Sequence, residues 1–503
     1  TTNAVYLKAF NQVEDLLLVL KPLSVRFMRH LAKREDEIKD RGADDPYAYV
    51  LQGLLIEQKH LMSDELEEFA ADLARSSWDA FSRLQQSLGS SISAEWEDGR
   101  MKTVVELRNM ATDGDRAIRK KAFEKKLEVL EIHEEAFAAA LNGVKGATIS
   151  LNARRGWESP LGRSIFQSRI DSEILSALIA TLEEAVPLFR SYLKKKAELL
   201  GLENLAFYDL FAPVGKSAKR YSYEDAQAFI VEHFSRFSEA MGKFAQNAFE
   251  KNWIDPEPRK GKVGGAYDTS FPVAKESRIL SNFDYTYSGV STIAHELGHA
   301  YHDSKVMQRG GLLANYPMPL AETASIFCEG LIFRGALEEA DEEERIALIE
   351  AFLQDSTQVC LDILSRFYFE EEVFKRRKEG DITASELNEM MLDAQKRTYG
   401  PALDVYHPYM WAVKSHYYRP EFSHYNYPYA FGQLFGLGLS KRSEDDPSAF
   451  VNKYDALLSV SGMKSVRDVG LEAGIDLRDR SFWQEGIEVI ARYVEEFKSA
   501  SPH

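Results

Sequence analysis

Between Pro46 and about Leu141, apolar residues recur at three- and four-residue steps against a polar background, Leu54, Leu61, Leu66 and Phe69 among them. That period predicts amphipathic helices. Ser63-Asp64-Glu65 and Ser93-Ala94-Glu95 read as helix starts, because a serine oxygen at the cap accepts from the free N–H groups of a first turn. Thr112-Asp113-Gly114-Asp115 predicts a turn, after which Arg116 to Leu130 is helical again. The period stops around Asn152 to Pro160, as a loop between lobes would make it, and resumes from Asp171 to about Leu200. It stops again from Asp255 to Gly265, a stretch rich in Pro, Gly and Lys. The acidic run Glu338 to Glu344 reads as a solvated helix start, where negative charge meets the positive end of the dipole.

Beyond the second break the period changes. Ala266 to Phe271 and Arg278 to Phe283 read as two short strands with a polar connection, the best strand candidates in the chain. No repeat of fixed period and no low-complexity tract interrupts the pattern.

Composition narrows the class. A chain of 503 residues is too long for one ordinary core, so at least two lobes are expected. With 45% hydrophobic and 28% charged residues, 23 Tyr and 29 Phe, it has ample material for a packed interior. The balance of 79 acidic against 62 basic residues, a formal charge of −17, repels phosphate backbones and anionic lipid and disfavours both as partners. It fits a free cytoplasmic enzyme. No stretch reaches the ~18 apolar residues of a membrane helix. The start, Thr1 to Tyr6, has neither the basic nor the apolar region of a secretion signal and lacks an initiator Met, as in a trimmed chain. Cys328 and Cys360 lie in apolar helical contexts and are expected to be buried free thiols in a reducing compartment.

The candidate chemistry sits just past the strands, in Thr292-Ile293-Ala294-His295-Glu296-Leu297-Gly298-His299-Ala300-Tyr301-His302. On a helix, His295 and His299 lie one above the other and both imidazoles reach one ion, with Ser291 or Thr292 as the expected cap. Glu296 then points beside the ion, where a carboxylate takes a proton from the attacking water. A catalytic zinc takes three protein ligands and keeps one open position. Downstream, Tyr316-Pro317-Met318-Pro319-Leu320-Ala321-Glu322 ends a loop and starts a helix. Glu322, in its first turns, and Glu329, seven residues later on the same face, both qualify as third ligand. His302 shares the His295 face a turn too far along and reads as a packed or hydrogen-bonded histidine.

Together these residues resemble the M3 family of metallopeptidases, in its oligoendopeptidase F branch, related to thimet oligopeptidase and neurolysin. The resemblance is carried by Pro258-Arg259-Lys260-Gly261-Lys262 with Gly265-Ala266-Tyr267, by His295 to His302, by Ala321-Glu322-Thr323-Ala324-Ser325, and by His424-Tyr425-Asn426-Tyr427-Pro428-Tyr429-Ala430-Phe431-Gly432. Weaker matches at Tyr208 to Pro213 and Arg155 to Ser159 extend it over most of the chain. It implies one zinc ion per chain held by His295, His299 and Glu322, with Glu296 as general base and Glu329 or Ser325 orienting a ligand. It further implies that a His and tyrosines of the aromatic segment meet substrate and oxyanion. Tyr425 and Tyr429 are the foremost candidates, with His416 preferred to His424, and Tyr427 and His424 placed on the substrate. Gly265, Ala266 and Tyr267 would receive the peptide backbone as an added edge strand.

The implied fold is mostly α, two helical lobes flanking a deep substrate channel, with a small β-sheet beside the zinc helix. Residues 1–150 are expected to form the N-terminal helical lobe and 151–503 the catalytic region. The expected activity is hydrolysis of short oligopeptides by a metalloendopeptidase. A helical zinc carboxypeptidase and a non-catalytic peptide-binding scaffold are the rivals. Ala321 to Ser325 argues against the first and an intact Glu296 against the second.

Overall fold

The helix Met318–Glu339 is apolar nearly all round, and such a helix is stable only when neighbours cover it on every side. It packs between Tyr287–Val306 and Tyr427–Asp445. The latter rests on Arg480–Lys498, which in turn rests on Ser172–Leu199. The structure, a computed structural model, describes residues 4–42, 44–215, 219–259, 262–445 and 447–500. Within them one hydrophobic core runs continuously from Ile92 to Phe497. The fold is mostly α, with small sheets, and no described helix is long and apolar enough to cross a membrane.

The sheet beside the His295 helix has three strands. Glu276–Leu280 is central, parallel to Ile254–Asp255 on one side and antiparallel to Tyr267–Phe271 on the other, with Asp268 opposite Ile279. Tyr267–Phe271 therefore keeps one edge unpaired among the described residues. The second strand begins two residues earlier than the sequence suggests. Ser277 and Ile279 alternate inward, and the chain has already turned at Lys275, whose φ is 54°. Lys260 and Gly261 of the expected motif lie outside the described residues.

Several expectations are corrected. Ser93-Ala94-Glu95 starts no helix; it is a strand paired with Met101–Thr103 through a turn at Gly99, and only Ala94 of its three residues faces the core. The helix that follows is capped by Thr103, with Glu106 completing a reciprocal capping box. The His295 helix begins at Tyr287 under a Thr286 cap, earlier than Ser291, because Val290 and Ile293 already pack inward. Leu66 and Phe69 face solvent, because their helix instead buries Glu67, Ala70 and Ala74, with Glu67 gripped by Arg155 at 2.6 and 3.0 Å. The acidic run is split between the end of one helix at Glu339 and the start of the next at Glu342, capped by Asp341. The helix Glu134–Arg154 runs unbroken through position 150. Cys328 and Cys360, by contrast, are buried free cysteines as expected.

Candidate active site

Gly298 explains how two helices come close enough to share an ion. A Cβ built on it would lie 2.6 Å from the Ala324 carbonyl oxygen, so the helix bearing His295 and His299 touches the helix bearing Glu322 backbone to backbone. At that crossing His295 Nε2 and His299 Nε2 are 3.1 Å apart, and Glu322 Oε2 is 3.4 Å from the first and 3.6 Å from the second. Three donors each ~2.0–2.1 Å from one tetrahedral ion lie roughly 3.3 Å from one another. The spacing therefore fits a zinc-sized ion.

The outer atoms of these three candidate ligands are fixed. His295 Nδ1 is hydrogen-bonded to Glu329, His299 to the Ala321 carbonyl, and Glu322 accepts from Ser325 Oγ at 2.9 Å. With the hydrogen of each neutral ring on Nδ1, both Nε2 lone pairs would face the shared point. Burial and the neighbouring His295 pull His299 down to about 4, so its ring is neutral, the form that can hold a metal.

Glu296 is 6% exposed and points toward the sheet, where its carboxylate accepts the Asp268 N–H. Burial, reinforced by Glu322 and opposed by His295, pushes it up to about 7, the range suited to taking and returning a proton. Asp268 itself is pushed up to about 8 by burial and by Asp303 and Glu296. Its Oδ2 accepts from Ser277 Oγ and its Oδ1 is buried without a partner.

The aromatic segment meets the site from a third helix. A Cβ on Gly432 would lie 2.6 Å from Glu322 Cβ, and Tyr429 is one turn earlier on the same face. Tyr429 is hydrogen-bonded to Tyr425 and lies within the field of Glu322; burial keeps its phenol protonated. His416 stacks on Tyr429 at 5.6 Å and lies 5.0 Å from the Tyr425 ring. Its Nδ1 pairs with Asn426 Oδ1 at 2.9 Å, leaving Nε2 free, and burial lowers it to about 4.

The sequence profile of Peptidase family M3 matches residues 109–489, most of the chain. The chain belongs to peptidase family M3. Within it, similarity lies with the oligoendopeptidase F branch. Oligopeptidase PepF of Bacillus subtilis is 24% identical over 462 residues, 90% of this chain and 68% of that protein. The plasmid oligoendopeptidase F of Lactococcus lactis subsp. cremoris is 25% identical over 397 residues, 76% and 64% respectively. The chain thus spans about two thirds of the length of these relatives. Two solved structures share the fold. A Chlamydophila abortus protein superposes with a TM-score of 0.84 at 22% identity, covering 99% of this chain and 85% of that one. Oligoendopeptidase F from Enterococcus faecium gives 0.75 at 18%, covering 98% and 86%.

Two residues the sequence placed on the substrate of this M3 chain face elsewhere. Tyr427 is fully buried, its hydroxyl 2.7 Å from Ser168 Oγ and 3.2 Å from Ser164 Oγ, because it opens a helix that turns it toward the neighbouring helix Pro160–Gln167. His424 takes a left-handed backbone conformation, φ 55°, that swings its ring onto Phe374. Its Nε2 meets Glu371 and its N–H donates to Glu370, so it is 1% exposed and pinned away from His416. His302 stacks on Tyr316 and bonds Ser461, the packed histidine expected. Gly265 has φ 81° and opens the turn into the edge strand, where Tyr267 is half exposed. Asn282 holds that turn through the Val263 and Gly265 carbonyls, both at 2.9 Å. Asp268 is the residue the sequence reading missed. Its place two residues into a strand that alternates inward was the available signal.

Proposed function

We propose that this M3 chain is a zinc-dependent metalloendopeptidase that hydrolyses short oligopeptides. The observation that carries the reading is the convergence of His295, His299 and Glu322 at ligand spacing beside a buried Glu296. Zinc bound there would polarise the scissile carbonyl and acidify water. Glu296, held by the Asp268 N–H, takes the proton from the attacking water and delivers it to the leaving amine. Tyr429 and Tyr425 donate toward the oxygen on which negative charge builds, and His416, neutral with its hydrogen on Nδ1 toward Asn426, packs against both rings. The unpaired edge of Tyr267–Phe271, entered through Gly265 and Ala266, pairs with the peptide backbone and so tolerates many side chains. A channel between two helical lobes would admit short unfolded peptides. Cytoplasmic location belongs to the same proposal and is supported by the two buried, unpaired cysteines.

Glu296→Gln tests the mechanism. It should retain one zinc per chain and lose nearly all peptide cleavage; a zinc-loaded variant with normal turnover overturns it.

A further inference from the structure

A cavity of about 120 Å³ opens one helical turn from two of the candidate metal ligands. Ser291, on its wall, is four residues before His295, and Ile326, also on its wall, is four after Glu322. Glu329 joins the two places, lining the cavity and holding His295 Nδ1. The side chains of Glu329, His295 and Glu322 are 35, 25 and 22% exposed, so open surface runs from the cavity to the metal site. The space is roughly ten times what one water needs.

The wall is largely apolar. Phe333, Phe352 and Tyr493 form a cluster with ring centres 4.9, 5.1 and 5.2 Å apart, and Leu437 and Val489 extend it. Two arginines on the wall are already engaged. Glu444 lies 3.7 Å from Arg334 and 3.5 Å from Arg492; Arg334 also meets Ser440, and Arg492 donates to Tyr493 OH at 3.2 Å.

Asp355 is different. It is an exposed residue of the same wall, and no hydrogen bond or ion pair reaches it among the described residues. Lys196, in whose field it lies, is taken by Glu350, by the Leu210 carbonyl at 2.8 Å and by Gln354 at 3.1 Å. Loss of water first, and the Glu329 and Glu350 carboxylates second, hold its carboxyl up at about 7. A cation in the cavity would relieve that repulsion. The backbone is unusual here as well: the helix Glu342–Ser356 passes just after Asp355 into a π-helical segment, Thr357–Asp362, and such turns are rare and recur at functional sites. With Glu329 and Glu444 engaged, Asp355 alone gives a bare metal ion too few ligands. An apolar wall with one unpaired acid suits a cation on a carbon stem, whose methylenes lie along aromatic faces.

We propose that this cavity receives the side chain of a lysine or arginine beside the scissile bond, its stem against Phe333, Phe352 and Tyr493 and its cation on Asp355. The inference rests on the peptidase reading and deepens it. Backbone pairing along Tyr267–Phe271 reads no side chain, so this one cavity would set the cleavage preference that the edge strand leaves open.

The test uses the zinc-loaded full chain and quenched peptides that differ at one position, scanned on both sides of the cut with lysine, arginine, methionine and glutamate. At one position lysine and arginine should each give a KM about tenfold below that of methionine, with glutamate the poorest. Asp355→Asn should raise the KM of the lysine peptide to that of its methionine partner, and a melting curve checks that the variant is folded. Equal KM for lysine and methionine at every position, or a lysine preference that survives Asp355→Asn in the folded variant, overturns the proposal and leaves the peptidase reading intact. A preference for methionine gives the cavity to an apolar side chain and overturns it too. Should no peptide be cleaved, the peptidase reading fails, and fluorescence anisotropy of the same labelled peptides on the parent chain decides the cavity separately. Tighter binding of the lysine peptide that Asp355→Asn removes supports it; equal or absent binding overturns it.

Discussion

The α-carbon of Gly298 faces the carbonyl oxygen of Ala324 so closely that any Cβ would stand 2.6 Å from it. Gly298→Ala sets two effects against each other. Helix propensity favours Ala by about 1 kcal/mol, whereas overpacking against backbone, which cannot rotate away, costs about 1–3 kcal/mol. The clash should win. The variant is expected to melt at lower temperature and to bind zinc more weakly, since the helix carrying Glu322 is displaced. Thermal unfolding with and without zinc checks both effects.

Glu329 fixes the His295 ring through Nδ1. Glu329→Gln should weaken zinc binding by about 10–100-fold, the usual effect of losing a group that orients a histidine ligand. A competition titration against a chromophoric chelator reads it; unchanged affinity would mean that His295 needs no such support.

Tyr429 and Tyr427 are two residues apart and are predicted to behave oppositely. Tyr429→Phe should lower kcat by about 10²–10³ while zinc content stays at one per chain. Tyr427→Phe leaves the Ser164 and Ser168 hydroxyls to repair a buried gap, at about 1–3 kcal/mol of stability, with kcat/KM unchanged. Kinetics and melting curves on both variants separate the roles.

Asp268 ties the stability of the zinc-free chain to pH. Its carboxyl is raised from 3.8 to about 8 by burial first and by the nearby Asp303 and Glu296 second. The folded state therefore holds a proton that the unfolded state releases. This contribution is fully present below the unfolded value of about 4 and is lost as pH rises toward 8. Asp268→Asn, which stays neutral, should flatten that decline. The melting temperature of the variant minus that of the parent should grow between pH 4 and 8; a constant difference would contradict the assignment.

How much of this was legible in the chain depends on whether a regular period governed the residues concerned. His295 and His299 were readable because a helix places i and i+4 together, and the packed role of His302 follows from the same rule. The geometry also gives Glu329 and Ser325 the orienting roles that the resemblance suggested, on His295 and Glu322 respectively. In the segment before Tyr427 no period applies. His424 adopts a left-handed conformation, and a single such residue redirects the side chain regardless of its place in the motif. The hairpin at Ser93 was missed because three residues are too short to show alternation, and a serine before an acid serves strand and helix cap alike. The burial of Asp268 beside Glu296 depends on strand register and on how the sheet sits against the helix, which are tertiary facts. The contact between Gly298 and Ala324 is of the same kind.

The most direct measurement is digestion of a mixed set of quenched peptides, short and long, with and without a chelator, with every product identified by mass. The account predicts internal cuts confined to the short peptides, abolished by chelation and restored by zinc. Stepwise loss of C-terminal residues, or cleavage that persists in the chelator, would contradict it.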